Sequence, residues 1–168
     1  MVKRTDYLGH LNNERGRKNM IMQWSKDGLF YVCSIIEYIA RHTHNKCKDI
    51  VAKLSDSALT HQLKAACINH CLSFEQVCDE WIEEYGIIEG TYDNISTCRY
   101  EVPSVTSIGR VYQTLIFDVL ENYSDIVETI RAVYNSFISE EISYFNSNVY
   151  YSNPDYLRCS FEAGELLD

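Results

Sequence analysis

Apolar residues recur every three or four positions along most of the chain, which is the period of one face of an α-helix. Ser25, a residue type that favours the helix N-cap, stands shortly before the first such stripe. The stripe consists of Leu29, Val32, Cys33, Ile36, Ile39 and Ala40, and it is widened by Phe30, Ile35 and Tyr38. A helix that is apolar over so wide an arc is expected at the centre of a bundle.

Short helices are predicted between this central helix and Gly86. The apolar faces of the first two contain Ile50, Val51 and Leu54, and then Leu59, Leu63, Ala66, Cys67 and His70 or Cys71. Ser73, with Gln76 three residues later, matches the capping box that begins a helix, and Gly86 stands where a terminating glycine is favoured. Residues 25–86 therefore predict a compact bundle of short helices.

The helical period stops in residues 87–106, which contain glycine, asparagine and proline and are predicted to form a long mid-chain loop. It returns in residues 107–145, where two longer helices are expected, the second running from Asp125 to Ile142. Residues 146–168 are rich in Asn, Ser and Tyr and end in acidic residues, which favours an irregular tail. The sequence thus predicts an all-α, single-domain protein over 1–168, an irregular bundle of about five to six helices.

Charge divides the chain into two unlike parts. The 168 residues include 15 Lys and Arg and 24 Asp and Glu, so the net charge is −9, whereas residues 1–26 alone carry +4. The acidic balance argues against a broadly basic nucleic-acid-binding protein. The basic arm, residues 1–24, leaves two interpretations open: it neutralises part of the acidic body, or it makes a local contact with a polyanion. The sequence contains no apolar run long enough for a membrane span and no apolar segment typical of a signal peptide. A cytoplasmic protein is therefore expected.

Seven cysteines and five histidines raise the question of a metal or thiol site. The residue 42–78 cluster contains His42, His44, Cys47, His61, Cys67, His70, Cys71 and Cys78. It lacks the matched Cys or His pairs that structural zinc sites use, so the sequence predicts no metal and no cofactor. Cys67, Cys71 and Cys78 fall on predicted apolar faces, and we expect them to be buried thiols. A metal- or Cys-dependent hydrolase that uses this cluster remains an alternative.

Tyrosine is the more unusual part of the composition, with 13 residues, several of them near the C-terminus. Tyr combines a large contact area with a polar tip, which suits protein interfaces. The residues predicted to bind a partner are Tyr144, Tyr150, Tyr151, Tyr156 and Phe161. The alternative is that these side chains fold back over the protein's own core.

The stretch from Phe30 to Tyr85 contains IEYIA at the end of the first helix, then DIVAKL and DEWIEEY. It resembles an uncharacterised family of small helical proteins from gut clostridia, whose members are often encoded beside ADP-ribosyltransferase-like toxins. The resemblance implies an antitoxin-like role and carries over no functional residue.

These observations favour a non-catalytic, cytoplasmic protein-binding module. We expect an antitoxin-like neutraliser of a partner enzyme, with an ADP-ribosyltransferase-like toxin or a nuclease as the partner. A phage-type acidic inhibitor that mimics nucleic-acid charge against a host nuclease or defence system is a second hypothesis. Contact with nucleic acid is expected at most through the basic arm.

Overall fold

A computed structural model describes residues 25–168, and within this range the secondary structure is entirely helical. The eight α-helices are α1 (Lys26–His42), α2 (Cys47–Lys53), α3 (Asp56–Asn69), α4 (Phe74–Tyr85), α5 (Val105–Val119), α6 (Ile126–Asn135), α7 (Phe137–Ser143) and α8 (Pro154–Ala163). Two short 3₁₀ turns, Leu120–Asn122 and Val149–Tyr151, follow α5 and precede α8. The all-α prediction is confirmed.

Polar side chains fix the starts of most of these helices, because the first backbone N–H groups of a helix have no partner within it. Ser25, Ser55, Ser73 and Ser104 each accept a hydrogen bond from a backbone N–H in the first turn of the helix that follows. The capping box at the start of α4 is present, and Gly86 ends that helix in the left-handed conformation at φ 59°. The expected helix boundaries at Ser25, Ser73 and Gly86 are therefore confirmed.

Helix α1 is central, as its broad apolar face predicts. It packs most extensively against α5 and next against α3. The crossing with α5 depends on Gly109, because a Cβ atom there would overlap the backbone of Ser34 on α1. The closest approach of the two longest described helices therefore requires a residue without a side chain.

The segment that follows Gly86 is irregular but firmly held. Asn45 donates to the carbonyl of Ile88, and the backbone N–H of Tyr92 donates to the carbonyl of His44. Further along, Asn94 donates to the carbonyl of Ser143, and Asn146 both donates to Thr97 and accepts from the N–H of Arg99. These bonds attach the predicted mid-chain loop to the turn after α1 and to the end of α7.

The predicted number of five to six helices is wrong, since the described residues contain eight. Ser136 adopts an extended backbone (φ −80°, ψ 163°) and divides the expected long helix into α6 and α7. The C-terminal tail is not irregular throughout, because it contains α8. This helix has Pro154 in its first turn and Asn153 as its cap, and it buries Leu157 against the core.

The predicted basic arm, residues 1–24, lies outside the residues that the structure describes. Among residues 25–168, no helix has both the length and the apolar character that a membrane crossing would require.

Candidate functional site

The exposed surface between α5 and the chain before α8 carries an open groove with a volume of about 890 Å³. One wall is the start of α5, from Ser104 to Val111, and the other is formed by Tyr150, Tyr151 and Ser152. A smaller cavity of about 120 Å³ adjoins it and shares Arg110, Val111 and Ser152. The two cavities therefore form one surface feature, here called the α5 groove.

The α5 groove is long enough for a short peptide segment. Its lining extends along α5 from Ser104 to Leu115, and at the helical rise this distance is about 16 Å. An extended chain covers that distance in about five residues. The shape is therefore suited to a segment of another chain.

Arg110 lies in the middle of the α5 groove and is held in place from two sides. Its guanidinium carbon is 3.9 Å from the centre of the Phe30 ring, and Nη1 donates to Gln113 Oε1 at 2.9 Å. The side chain is exposed, and it makes no ion pair with a carboxylate in the described part of the chain. Among residues 25–168, Arg110 is thus an oriented cation without a paired carboxylate, in a groove that is also lined by Glu101.

The five predicted partner-binding residues are not brought together. Tyr150 and Tyr151 line the α5 groove, with ring centres 4.9 Å apart. Tyr151 is 68% exposed, whereas Tyr150 is partly buried against the core. Burial, followed by the nearby Tyr151, Cys98 and Glu101, raises the pKa of Tyr150. Tyr150 therefore forms the base of this wall and Tyr151 its exposed part.

The other three predicted residues lie outside the lining of the groove. Tyr144 is 54% exposed at the end of α7. Tyr156 and Phe161 belong to α8 and pack partly against the core, and the Tyr156 hydroxyl donates to the carbonyl of Leu167. The alternative in which the aromatic tail folds back over its own core thus describes Tyr150, Tyr156 and Phe161.

Three residues at or next to this surface do not stand out in the sequence. Phe30 counted only as part of the α1 stripe, and Arg110 carried no signal of its own. Tyr100, which precedes the groove residue Glu101 in the sequence, also has a 68% exposed side chain. The four-residue spacing of Thr106, Arg110 and Thr114 was the one available signal, because it places all three on one face of α5.

A second cavity, of about 500 Å³, lies between the C-terminal half of α1 and the mid-chain loop. Near its base, Glu37 is 3% exposed and pairs with Arg41 at 2.7 Å from Oε1 to Nε. Arg41 Nη1 also donates to the carbonyl of Pro103, and the Cys47 thiol donates to Glu37 Oε2 at 3.0 Å. Glu37 and most of the Arg41 guanidinium are therefore hydrogen-bonded within the fold. In the described part of the chain, Arg41 Nη2 is buried without a hydrogen-bond partner.

The residue 42–78 cluster is dispersed. His42, His44 and Cys47 line the second cavity, whereas Cys78 is buried in the core. Burial raises the pKa of the Cys78 thiol to about 11 and holds that of Cys47 well above its ordinary value. A thiol nucleophile requires the opposite shift, towards the thiolate. In the described range, no three His, Cys, Asp or Glu residues are grouped so that they could hold a metal ion.

The prediction that Cys67 and Cys71 are core thiols is wrong, because both are exposed. The buried face of α3 consists of Leu59, Gln62, Leu63 and Ala66. Cys67 follows Ala66 in the sequence but is not part of this face, and Cys71 lies in the turn after α3, which ends at Asn69. The Cys71 thiol lies 3.6 Å from His70 Nε2 in an exposed turn.

No family model, curated protein or solved structure matches this chain. The resemblance of residues 30–85 to the clostridial family stays a prediction.

Proposed function

We propose that this chain is a protein-binding module and that the α5 groove, with its aromatic wall, is its contact surface. The observation that carries the proposal is the exposure of Tyr151, which lines the groove and is 68% exposed. By contrast, Tyr112 and Tyr134 are completely buried and stacked, with ring centres 4.3 Å apart. Large aromatic side chains that remain exposed beside a groove are a recurrent feature of binding sites, where their burial supplies much of the affinity.

The resemblance of residues 30–85 supports a more specific form of the proposal, in which the partner is a toxin-like enzyme. In this form the chain is an antitoxin-like neutraliser that covers a functional surface of that enzyme. Occlusion requires contact area and complementary charge but no chemical step from this chain. The buried, protonated thiols of Cys33, Cys47 and Cys78 are compatible with such a role.

The test begins with isolation of a stoichiometric partner from the native host on the tagged full-length chain. Its affinity is then measured by calorimetry for the unmodified chain and for Tyr151→Ala. We expect at least a tenfold loss, the size found for the few aromatic hot-spot residues that dominate an interface. Ile68→Ala is the matched control, because Ile68 is 71% exposed and lies on α3, outside the lining of the groove. The absence of a stoichiometric partner, or equal losses in the two variants, would contradict the proposal.

A second candidate function, an acidic mimic of nucleic acid, is favoured by α4. This helix exposes Glu75, Asp79, Glu80, Glu83 and Glu84, and it contains no basic residue. Like charges four residues apart repel, and Glu83 and Glu84 also oppose the helix dipole at the C-terminal end. The local arrangement is unfavourable for the helix itself, which is compatible with selection for another purpose.

Salt dependence separates the two candidates. A charge mimic loses affinity steeply between 50 and 200 mM salt, whereas a contact dominated by aromatic burial changes little. The paired variants are Glu80→Gln with Glu84→Gln for the acidic face and Tyr151→Ala for the groove. If the α4 variant abolishes binding while Tyr151→Ala leaves it intact, the mimic replaces the aromatic-contact proposal.

A further inference from the structure

We infer that the second cavity, between α1 and the mid-chain loop, binds a small, neutral aromatic molecule about the size of two fused rings. Among the described residues, the cavity shares only Val102 with the α5 groove. It is therefore a separate site from the surface of the proposed function. The size of the cavity, its fixed walls, its aromatic side chains and its paired charges each restrict the class of ligand.

The volume of the second cavity is that of a small-molecule site. It is about 500 Å³, and such sites measure about 300–1,000 Å³ and are mostly apolar with a few polar groups. The lining here is likewise mostly apolar. Because a dry cavity of about 150 Å³ accommodates a molecule the size of benzene, the second cavity has room for two fused rings and a polar substituent.

Hydrogen bonds fix the loop wall of the cavity. The backbone N–H of Tyr92 donates to the carbonyl of His44 at 2.8 Å, and Asn94 Nδ2 donates to the carbonyl of Ser143 at 2.7 Å. These bonds attach the loop wall to the turn after α1 and to the end of α7. A preformed site loses little conformational entropy when a ligand binds, which favours the binding of a small molecule.

Aromatic rings from α1 and from the loop favour a flat aromatic ligand. Tyr38 and His42 are one turn apart on α1, and their rings are nearly parallel, with an angle of 8° between the planes. Tyr92 belongs to the loop wall, with the ammonium group of Lys46 5.5 Å from its ring centre. Aromatic rings attract one another in offset-stacked or edge-to-face arrangements, and this attraction adds to the gain from apolar burial.

The charged pair at the base of the cavity is satisfied within the fold. Glu37 accepts a hydrogen bond from Arg41 Nε at one carboxylate oxygen and from the Cys47 thiol at the other. Arg41 Nη1 donates to the carbonyl of Pro103, and Arg41 Nη2 is buried. Neither charge is therefore available to an ionic ligand.

The exposed carboxylate of Asp93 also disfavours an ionic ligand. The Ser96 hydroxyl, followed by the backbone N–H groups of Ser96 and Ile95, donates to this carboxylate and lowers its pKa. An anion in the cavity would meet this negative charge, and a cation would find the carboxylate oxygens already hydrogen-bonded. Burial raises the pKa of Tyr92, so its hydroxyl stays neutral.

Four probes of one ring skeleton test the ligand class: 2-naphthol, 2-naphthoate, 2-naphthylmethylamine and decahydro-2-naphthol. At pH 8 the first is a neutral aromatic, the second an anion, the third a cation and the fourth neutral without aromatic rings. NMR titration of the ¹⁵N-labelled full-length chain should give a Kd of about 1 mM or lower for 2-naphthol. We expect binding at least tenfold weaker for the two ions and about threefold to tenfold weaker for the decahydro compound.

Two valines of α5 provide matched variants that locate the bound probe. Val105 lines the second cavity, Val111 lines the α5 groove, and both are partly exposed. Val105→Trp should abolish 2-naphthol binding by filling the cavity, whereas Val111→Trp should leave it unchanged. Ile95→Trp fills the cavity from the loop and replaces Val105→Trp if circular dichroism shows that the latter is unfolded. Tyr92→Leu should weaken 2-naphthol binding about threefold to tenfold and leave decahydro-2-naphthol unchanged.

Four results would overturn this inference. They are the absence of 2-naphthol binding, an ionic probe that binds as tightly as 2-naphthol, equal affinity for decahydro-2-naphthol, and binding that Val111→Trp abolishes while Val105→Trp does not. The last of these would place the probe in the α5 groove. The proposed function is judged separately, by the native partner and Tyr151→Ala.

Discussion

Arg41 and Arg110 make the same type of aromatic contact but serve different ends. Arg41 lies 5.0 Å from the centre of the Phe145 ring, and Arg110 lies 3.9 Å from that of Phe30. Each lines a cavity. Arg41 is a mostly buried side chain, 17% exposed, and it has a carboxylate partner in Glu37, whereas the exposed Arg110 has none in the described part of the chain.

The difference follows from solvation. A charge removed from water needs a compensating charge and hydrogen bonds, so the buried arginine is satisfied mainly by Glu37 and Pro103. An exposed arginine is satisfied by water and can exchange that water for a ligand. The charged groups at the second cavity therefore stabilise the fold, whereas Arg110 in the α5 groove can still bind a ligand.

The largest expected effect is on the buried side of this comparison. Arg41→Met leaves Glu37 as a buried, uncompensated carboxylate, and removal of one partner of such a pair costs about 3 kcal/mol or more. We expect the free energy of unfolding, measured by urea titration with circular dichroism, to fall by this amount.

The double variant Glu37→Leu with Arg41→Met tests the cause. It removes both charges, so most of the lost stability should return, because apolar replacements of a buried ion pair are often neutral. A double variant no more stable than Arg41→Met alone would show that lost packing, rather than the unpaired charge, explains the deficit.

The next effect concerns Gly109, the neighbour of Arg110 that faces α1. Gly109→Ala should lower the free energy of unfolding by about 2 kcal/mol, because the added methyl group overlaps the backbone of Ser34. In an unconstrained helix the same change is stabilising, by about 1 kcal/mol. The urea midpoint is therefore expected to fall. A rise in the midpoint would show that α1 and α5 leave room for a methyl group at this position.

The sequence predicted much of the fold, since local signals dominate it. The apolar stripe of α1 and the caps at Ser25 and Ser73 depend on residues within one or two turns of each other. The division of the expected long helix at Ser136 had no such signal, because the apolar period continues through it. Helix α8 was missed because a tyrosine-rich composition suggested a tail, although Asn153, Pro154 and Gly164 are all typical of helix ends.

The candidate site was less predictable, since it depends on contacts between residues distant in the sequence. Phe30 and Arg110 are 80 positions apart, and only the packing of α1 on α5 brings them together. Composition singled out these aromatic residues together, and it could not separate the exposed Tyr151 from Tyr150, Tyr156 and Phe161, which pack partly against the core. Exposure of a tyrosine is decided by neighbours that no local pattern reveals.

A smaller effect is expected from pH. Burial raises the pKa of the Cys33 thiol to about 12, whereas an unfolded thiol titrates near its ordinary value of about 9. Above that value the unfolded state loses its proton first, so stability falls as the pH rises from about 9 towards 12, by about 1.4 kcal/mol per unit. Urea titrations at pH 8 and pH 10 should show this loss, and Cys33→Ala should reduce it. Cys67→Ala, which removes an exposed thiol, should not change the slope.

The smallest effect completes the comparison of the two arginines. Arg110→Gln removes an exposed cation from the face of Phe30, and such contacts contribute about 0.5–1 kcal/mol at exposed sites. The free energy of unfolding should therefore change by less than about 1 kcal/mol, against about 3 kcal/mol for Arg41→Met. A stability loss as large as that of Arg41→Met would mean that Arg110 is also a structural residue. A nearly unchanged stability would indicate that Arg110, which has no carboxylate partner among residues 25–168, contributes little to the fold. That result is expected for a side chain that binds a partner.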